Sequence, residues 1–350
     1  MPVEEALRSL WVRAVRLTLP RAAPDAIGRV RRVLFLRHDA IGDMLSSLGV
    51  IRALVEHGFE VDVVASGANA AVLADNPWGV GVLTTSHVRG TRRRLREALR
   101  ARRYDAVIDG LVLKPRVNSR TIRLMRACRA PIRVGIGGRV HDFLYTHAVR
   151  ADLSANHVEV LAALLSPFGI APDRALEPVP MPLSEHERER AEAWWTAAGG
   201  AGPRLLVNLS ASGAERRWPD ERFIDVLEGL AAEQPDLRIA VTGSPADWPS
   251  AEAIARTCGG RAATGALRAA FALVAASDVV LTPDTSVAHA AAGFQVPGVV
   301  LTLPGNLRFT PWRAPGVVLV SDSATLDGVD VASVHSAVRG QLLARAGARR

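Results

Sequence analysis

Residues 33–54 constrain the fold more than any other stretch of this chain. Val33 to Leu36 is an apolar run too short for a helix and of the right length for a buried strand. A polar turn from Arg37 to Gly42 follows. Met44, Leu45, Leu48, Ile51 and Leu54 then recur at helical spacing. The unit reads as strand, tight loop, helix, with Asp43 where the loop becomes the helix. Ligands of open parallel sheets bind at the carboxyl ends of strands, where such loops lie. Asp43 is therefore either a site residue or simply an acid placed to meet the dipole of a helix start.

The same alternation continues along the chain. Glu60 to Ala65 and Val80 to Leu83 read as strands, and about Thr91 to Arg103 as a helix. Tyr104 to Asp109 is a strand, and Gly110 to Asn118 a polar loop. Arg120 to Ala127 is a helix, Arg133 to Ile136 a strand, and His157 to Phe168 an apolar helix. A proline-rich connector, Pro172 to Pro182, precedes a helix over Ser184 to Ala198 with a possible capping box from Ser184 to Glu187. A second alternation then begins. Strands are expected at Leu205 to Asn208, Arg238 to Thr242, Asp278 to Leu281 and Gly298 to Leu303, with helices between them and a last helix over Val331 to Ala346. The fold class is α/β, with parallel sheets covered by helices. The expected division is a 1–30 amphipathic extension, two Rossmann-like halves at 31–182 and 183–330, and a helical, basic tail at 331–350. A ligand crevice between the halves is the natural expectation.

Charge excludes some functions. The net charge of +8 is concentrated: Arg89 to Arg103 carries eight arginines and one acid, Glu97. The remainder is nearly neutral, and the run lacks a reading motif or interleaved aromatics, so nucleic acid is not the expected partner. A local basic patch suits an anionic ligand or a membrane surface, or is a solvated helix face. Near the N-terminus, Leu7, Leu10, Trp11, Ala14 and Leu17 share one side of a helix, and Arg8, Arg13 and Arg16 the other. Such a helix either packs on the domain, the preferred reading, or lies on an anionic bilayer. No apolar run is long enough to span a membrane. Cys128 and Cys258 form neither a ligand cluster nor a disulfide framework, which fits a reducing, cytoplasmic setting. Gly135-Ile-Gly137-Gly138 lacks the full dinucleotide spacing.

Two further stretches carry chemistry. In Asp284-Thr285-Ser286-Val287-Ala288-His289, good N-capping residues introduce a helix after a strand, and its free N–H groups can hold a phosphate. In Asn208 to Pro219, a strand runs into a loop with Ser210, Ser212, Gly213 and the pair Arg216-Arg217 before Trp218-Pro219. Arginine forks suit a diphosphate.

These three stretches, in this order and spacing, resemble glycosyltransferase family 9, the lipopolysaccharide heptosyltransferases, from about Arg32 to Pro304. Gly42-Asp43 matches the family's N-terminal motif, Arg216-Arg217-Trp218-Pro219 its basic residue before Trp-Pro, and Asp284 to His289 its C-terminal signature. The resemblance implies the GT-B fold, two facing Rossmann-like domains with a central cleft. It implies inverting, metal-independent sugar transfer onto a lipopolysaccharide core or related anionic lipid-linked saccharide. The expected co-substrate is a nucleotide sugar, ADP-heptose, with no other cofactor. Asp43 is the implied general base and Arg216 the implied stabiliser of the leaving diphosphate. Ser210, Ser212, Arg217, Asp247, Asp284, Thr285, Ser286, Val287 and His289 are the implied donor contacts. Lys114, Arg116 and Arg120, in a loop at a strand end, are candidate acceptor contacts, and peripheral contact with the inner membrane is expected. The chain departs from the family pattern in carrying Arg rather than Lys at 216, and in having only Asp247 as a candidate ribose partner. The competing readings are an NAD(P)-dependent oxidoreductase and a member of the same family with another donor.

Overall fold

The computed structural model describes residues 3–20, 22–23, 26–85 and 89–348, and divides into two compact units, Met1–Glu177 and Pro178–Arg350. The division falls inside the proline-rich connector, slightly before residue 182. The first unit contains α1 (Val3–Thr18), β1 (Arg32–Arg37), α2 (Ile41–Ser46), α3 (Leu48–Glu56), β2 (Glu60–Ser66) and β3 (Gly81–Thr85). It continues with α4 (Arg89–Ala101), β4 (Ala106–Asp109), α5 (Ser119–Cys128), β5 (Ile132–Ile136), β6 (His147–Val149) and α6 (His157–Ala162). The second contains α7 (Glu185–Ala197), β7 (Arg204–Asn208), α8 (Asp220–Glu233), β8 (Arg238–Thr242), α9 (Trp248–Thr257) and β9 (Arg261–Ala262). After these come α10 (Leu267–Ala275), β10 (Val279–Pro283), α11 (Ser286–Phe294), β11 (Gly298–Thr302), β12 (Gly316–Val320) and α12 (Val331–Ala348).

Each unit is built on one six-stranded sheet, ordered β3-β2-β1-β4-β5-β6 in the first and β12-β11-β10-β7-β8-β9 in the second. Every strand pair is parallel. The central strands are apolar runs buried on both faces, as a helix-covered parallel sheet demands. In both orders the chain reverses direction beside its first strand. The switch point is therefore β1/β4 in one unit and β7/β10 in the other, and these are the places where a doubly wound sheet opens a crevice.

Several expectations change in detail. The helix after β1 breaks into α2 and α3 at Ser47, whose buried hydroxyl donates to the Asp43 carbonyl at 2.8 Å. The helix from His157 tightens to a 3-10 segment over Ala163–Phe168, which contains Pro167. Short or half-exposed edge strands β6, β9 and β12 give no clear periodic signal. The capping box at Ser184 and Glu187 is present. Gly135 makes room for the Tyr145 ring, which a Cβ would meet at 2.2 Å, so its role is packing.

The amphipathic N-terminal helix packs on the first unit with a different face from the one anticipated. Val12, Val15 and Leu19 enter the core with Leu99, Ile122 and Met125, while Trp11 is half-buried and Leu10 and Leu17 remain 64% and 83% exposed. The helix is apolar on two sides. The branched valines fit the groove beside α5, and the leucine side points outward. The side chains of residues 3–9, including Leu7 and Arg8, lie outside the described residues. At the other end, α12 buries Val334, Val338 and Leu342 in the core of the second unit.

Candidate active site

In the first unit the switch-point loop is organised by an arginine that closes β1. Arg37 is 1% exposed, and its Nε donates to the Asp43 carbonyl at 2.8 Å. Its Nη1 donates to the Gly110 carbonyl, and its Nη2 lies 3.0 Å from His157 Nε2. The same guanidinium faces two carboxylates, Asp43 at 3.2 Å and Asp39 at 3.5 Å. One buried cation thus ties the start of α2 to the loop after β4 and the start of α6. It also supplies the counter-charge that lets two acids sit together. His157 Nδ1 is 3.8 Å from Asp43 Oδ1. Burial pushes the Asp39 carboxyl up to about 6, with the Asp43 charge adding to the effect and Arg37 opposing it. Asn69 fixes the loop by donating to the Arg37 carbonyl at 3.0 Å. Asp43, in the first turn of α2, keeps its side chain 23% exposed.

Beside this cluster lies a cavity of about 430 Å³ lined by His38, Asp39, Leu111, Lys114, Asn118, Ser119, Arg120 and Arg123. It brings Lys114 and Arg120 together. Arg116 is not on its wall; its backbone instead pairs with Val140. His38 is buried, and that burial lowers its imidazole to about 4, so it is neutral near pH 7 and bonds Thr121 Oγ1 at 3.3 Å. The loop carrying Lys114 is held from below by a buried network. Arg139 pairs with Asp109 at 3.2 Å and donates to the carbonyls of Lys114 at 2.8 Å and Arg116 at 3.1 Å. Tyr145 donates to Asp109 at 2.6 Å. Burial, with the Asp109 charge, raises the Tyr145 hydroxyl well above its ordinary value, so it stays a donor.

In the second unit, Asn208 at the end of β7 donates to Thr282 Oγ1 at 2.9 Å and Thr285 Oγ1 at 3.2 Å. This bond pair joins the two switch-point strands. Thr285 caps α11, its Oγ1 accepting from Val287 N at 3.4 Å, and leaves Ser286 and Val287 in the first helical turn. Asp284 precedes the cap. Burial pushes its carboxyl up to about 6, against the pull of the Arg216 charge. His289 lies one turn into α11 and is half-buried.

The two adjacent arginines diverge. Arg216 reaches Ser212 Oγ at 3.1 Å and Asn306 Oδ1 at 3.0 Å, on the side of Asp284. Arg217 turns the other way, bridging Asp247 and, at 2.8 Å, Asp220. Burial acts to raise the Asp247 carboxyl, but bonds from Ser244 and Arg217 hold it below its ordinary value. Ser210 accepts from Ser244 N at 2.8 Å, tying this loop to the end of β8. Trp218 is fully buried, donating to the Val329 carbonyl at 3.0 Å, so the Trp-Pro pair anchors the arginine loop. Ser210, Ser212, Arg216 and Asp284 to Val287 therefore gather at the carboxyl ends of β7 and β10, while Arg217 and Asp247 occupy each other one strand away. Among the described residues, no group of three or more His, Cys, Asp or Glu side chains is placed to hold a metal ion.

The residues that the motif reading passed over are Arg37, His38, Asp39, Asp109, Arg139 and His157. Their one local signal is a charged or polar residue at the carboxyl end of an apolar run, as at Arg37 and Asp109.

Residues 92–330 match the family model described as glycosyltransferase family 9 (heptosyltransferase). The chain is 26% identical over 311 residues to lipopolysaccharide heptosyltransferase 2 of Salmonella typhimurium, covering 80% of this chain and 85% of that protein. A family 9 glycosyltransferase structure from Veillonella parvula superposes with a TM-score of 0.77 at 20% identity, covering 89% of this chain and 97% of that one. The structure of the E. coli ADP-heptose lipopolysaccharide heptosyltransferase II gives 0.72 at 22% identity, covering 89% and 98%. These two structures share the fold.

Proposed function

The chain belongs to glycosyltransferase family 9, and from that premise we propose that it is an inverting, metal-independent heptosyltransferase using ADP-heptose and a lipopolysaccharide-core or similar lipid-linked saccharide. One observation carries the reading. The acid of the N-terminal motif and the cation and helix start of the C-terminal motifs each lie at the switch point of their own sheet. The donor and acceptor are those for which the Salmonella and E. coli relatives are named.

In this reading the Asp43 carboxylate takes the proton of the acceptor hydroxyl as its oxygen attacks the anomeric carbon. The bond from that carbon to the diphosphate oxygen breaks on the opposite face, and the nucleoside diphosphate leaves with the electron pair. The sugar passes through an oxocarbenium-like state. Arg37 and His157 hold Asp43 in place. Arg216 and the first N–H groups of α11 meet the charge that develops on the diphosphate, the role a divalent cation fills elsewhere. Lys114 and Arg120 attract an anionic acceptor into the first unit's cavity. Peripheral contact with the cytoplasmic face of the membrane that carries the acceptor belongs to the same proposal.

Asp43→Asn tests it. Transfer falls by about 10²–10⁴, while ADP affinity, read by calorimetry, stays within about twofold because no donor contact is lost. Wild-type turnover in this variant removes Asp43 from the base role. A mass-spectrometric screen of nucleotide sugars identifies the donor, and full activity in EDTA is the expected outcome for metal independence.

A further inference from the structure

Helices α1, α5 and α4 pack as one layer on one face of the first sheet, joined through a common core. The inner side of α1 is Val12 and Val15, continued by Leu19 just past its end. At about 100° per residue, Leu10, Ala14 and Leu17 fall on the opposite side of the helix, and all three are exposed. Two large leucines on an outer helix face are not explained by the fold, which is already satisfied by the other stripe. Arg13 borders them, also exposed.

The neighbouring helices are basic on the same outer face. Arg123, Arg126 and Arg129 recur every third residue along α5 and its end, all exposed, and Arg94 is exposed on α4 on the side opposite the buried Leu99. Glu97 is the one carboxylate on α4 and α5, and it pairs with Arg93 at 2.8 Å. The α5 stripe starts at Arg123, which also lines the cavity of Lys114 and Arg120. The α5 stripe thus begins at that cavity, and α5 packs against α1 through the shared core.

We infer that the outer face of the α1–α5–α4 layer docks on an anionic lipid bilayer, with Leu10 and Leu17 entering the interface and the arginines facing the headgroups. An apolar stripe flanked by arginines fits that partner because the bilayer surface offers both a boundary for leucine and a negative potential. A second protein copy would have to meet the same arginines with acids, and among the described side chains of these three helices the one acid is Glu97, already paired with Arg93. The inference depends on the proposed function for its purpose, presenting a lipid-linked acceptor to the cavity, and its test uses lipid alone.

The test is flotation of the full chain with vesicles of phosphatidylcholine, and of phosphatidylcholine with about one-third phosphatidylglycerol. The protein should float with the anionic vesicles, be released by salt, and stay behind with the neutral ones. Leu10→Gln/Leu17→Gln should weaken partitioning about tenfold or more, and Arg126→Gln/Arg129→Gln should weaken it and flatten the salt dependence. Unchanged unfolding midpoints exclude misfolding. Transfer to a delipidated, water-soluble acceptor should be unaffected in both variants, so a failure of the transferase reading and a failure of docking are separate results. Several results overturn the inference: no binding to anionic vesicles, variants that bind like the wild type, tighter binding to an unrelated oligonucleotide, or a dimer that the leucine substitutions turn into monomers.

Discussion

Arg37 shows why a site residue can hide in a sequence. It ends an apolar run and reads as the first residue of a turn, yet the fold buries it and gives its guanidinium four partner residues, Asp39, Asp43, Gly110 and His157. Arg216 and Arg217 make the complementary point: adjacent and chemically alike, they are separated by direction. Arg216→Ala should lower kcat by about 10²–10³ with little change in thermal stability, because the role proposed for its charge is to meet the leaving group. Arg217→Ala should instead cost about 1–2 kcal/mol of stability by stranding Asp247, with kcat changed much less; its partly exposed ion pairs warrant no more than that. Steady-state kinetics and urea melts on both variants check this. Asp284 predicts a pH dependence. Its carboxyl is raised from 3.8 to about 6, so the native state binds the proton more tightly than the unfolded chain does. The stability contributed by the neutral acid is complete below pH 4 and lost as pH rises through about 6. Asp284→Asn should therefore melt like the wild type at pH 4 and above it at pH 7.5, by at most about 3 kcal/mol.

At the scale of elements, helix α3 is set by a close approach. A Cβ at Gly49 would lie 2.2 Å from the Ala175 carbonyl oxygen, a backbone atom that cannot swing away. Replacing a helical glycine by alanine normally gains about 1 kcal/mol. Here the overlap should reverse the sign, and Gly49→Ala should lower the urea midpoint by an amount equivalent to about 1–3 kcal/mol at constant slope. Helix α11 depends on its cap, with Thr285 holding both Val287 N and Asn208. The split between α2 and α3 at Ser47 leaves Asp43 on a short helix clamped by Arg37 rather than on a long amphipathic one.

The whole molecule has a separate core in each unit, Val12 to Tyr145 in one and Leu205 to Leu342 in the other. The proposed donor contacts all belong to the second. Calorimetric unfolding should resolve two transitions, and ADP at about 100 times its Kd should raise only that of the second unit, by about 2.7 kcal/mol in free energy. A shift confined to the first transition would place the nucleotide in the wrong unit. Charge is unevenly spread too: the arginines of α4 and α5 belong to the first unit, the one assigned to the acceptor.

The sequence by itself determined the class of fold, since apolar runs of strand length alternating with amphipathic helices allow little but helix-covered parallel sheets. It also marked Asp43, Arg216 and the 284–289 helix start as candidates, because a strand, a polar loop and a helix are contiguous in the chain and place polar residues at the strand ends. The tertiary structure decided what depends on residues far apart in sequence. It set the strand order that makes β1/β4 and β7/β10 the open positions, the burial of Arg37 between loops from three elements, and the pairing of Arg217 with Asp247. It also decided which stripe of α1 faces inward. An apolar periodicity identifies the faces of a helix, but shape and the neighbour it packs against select which one is buried.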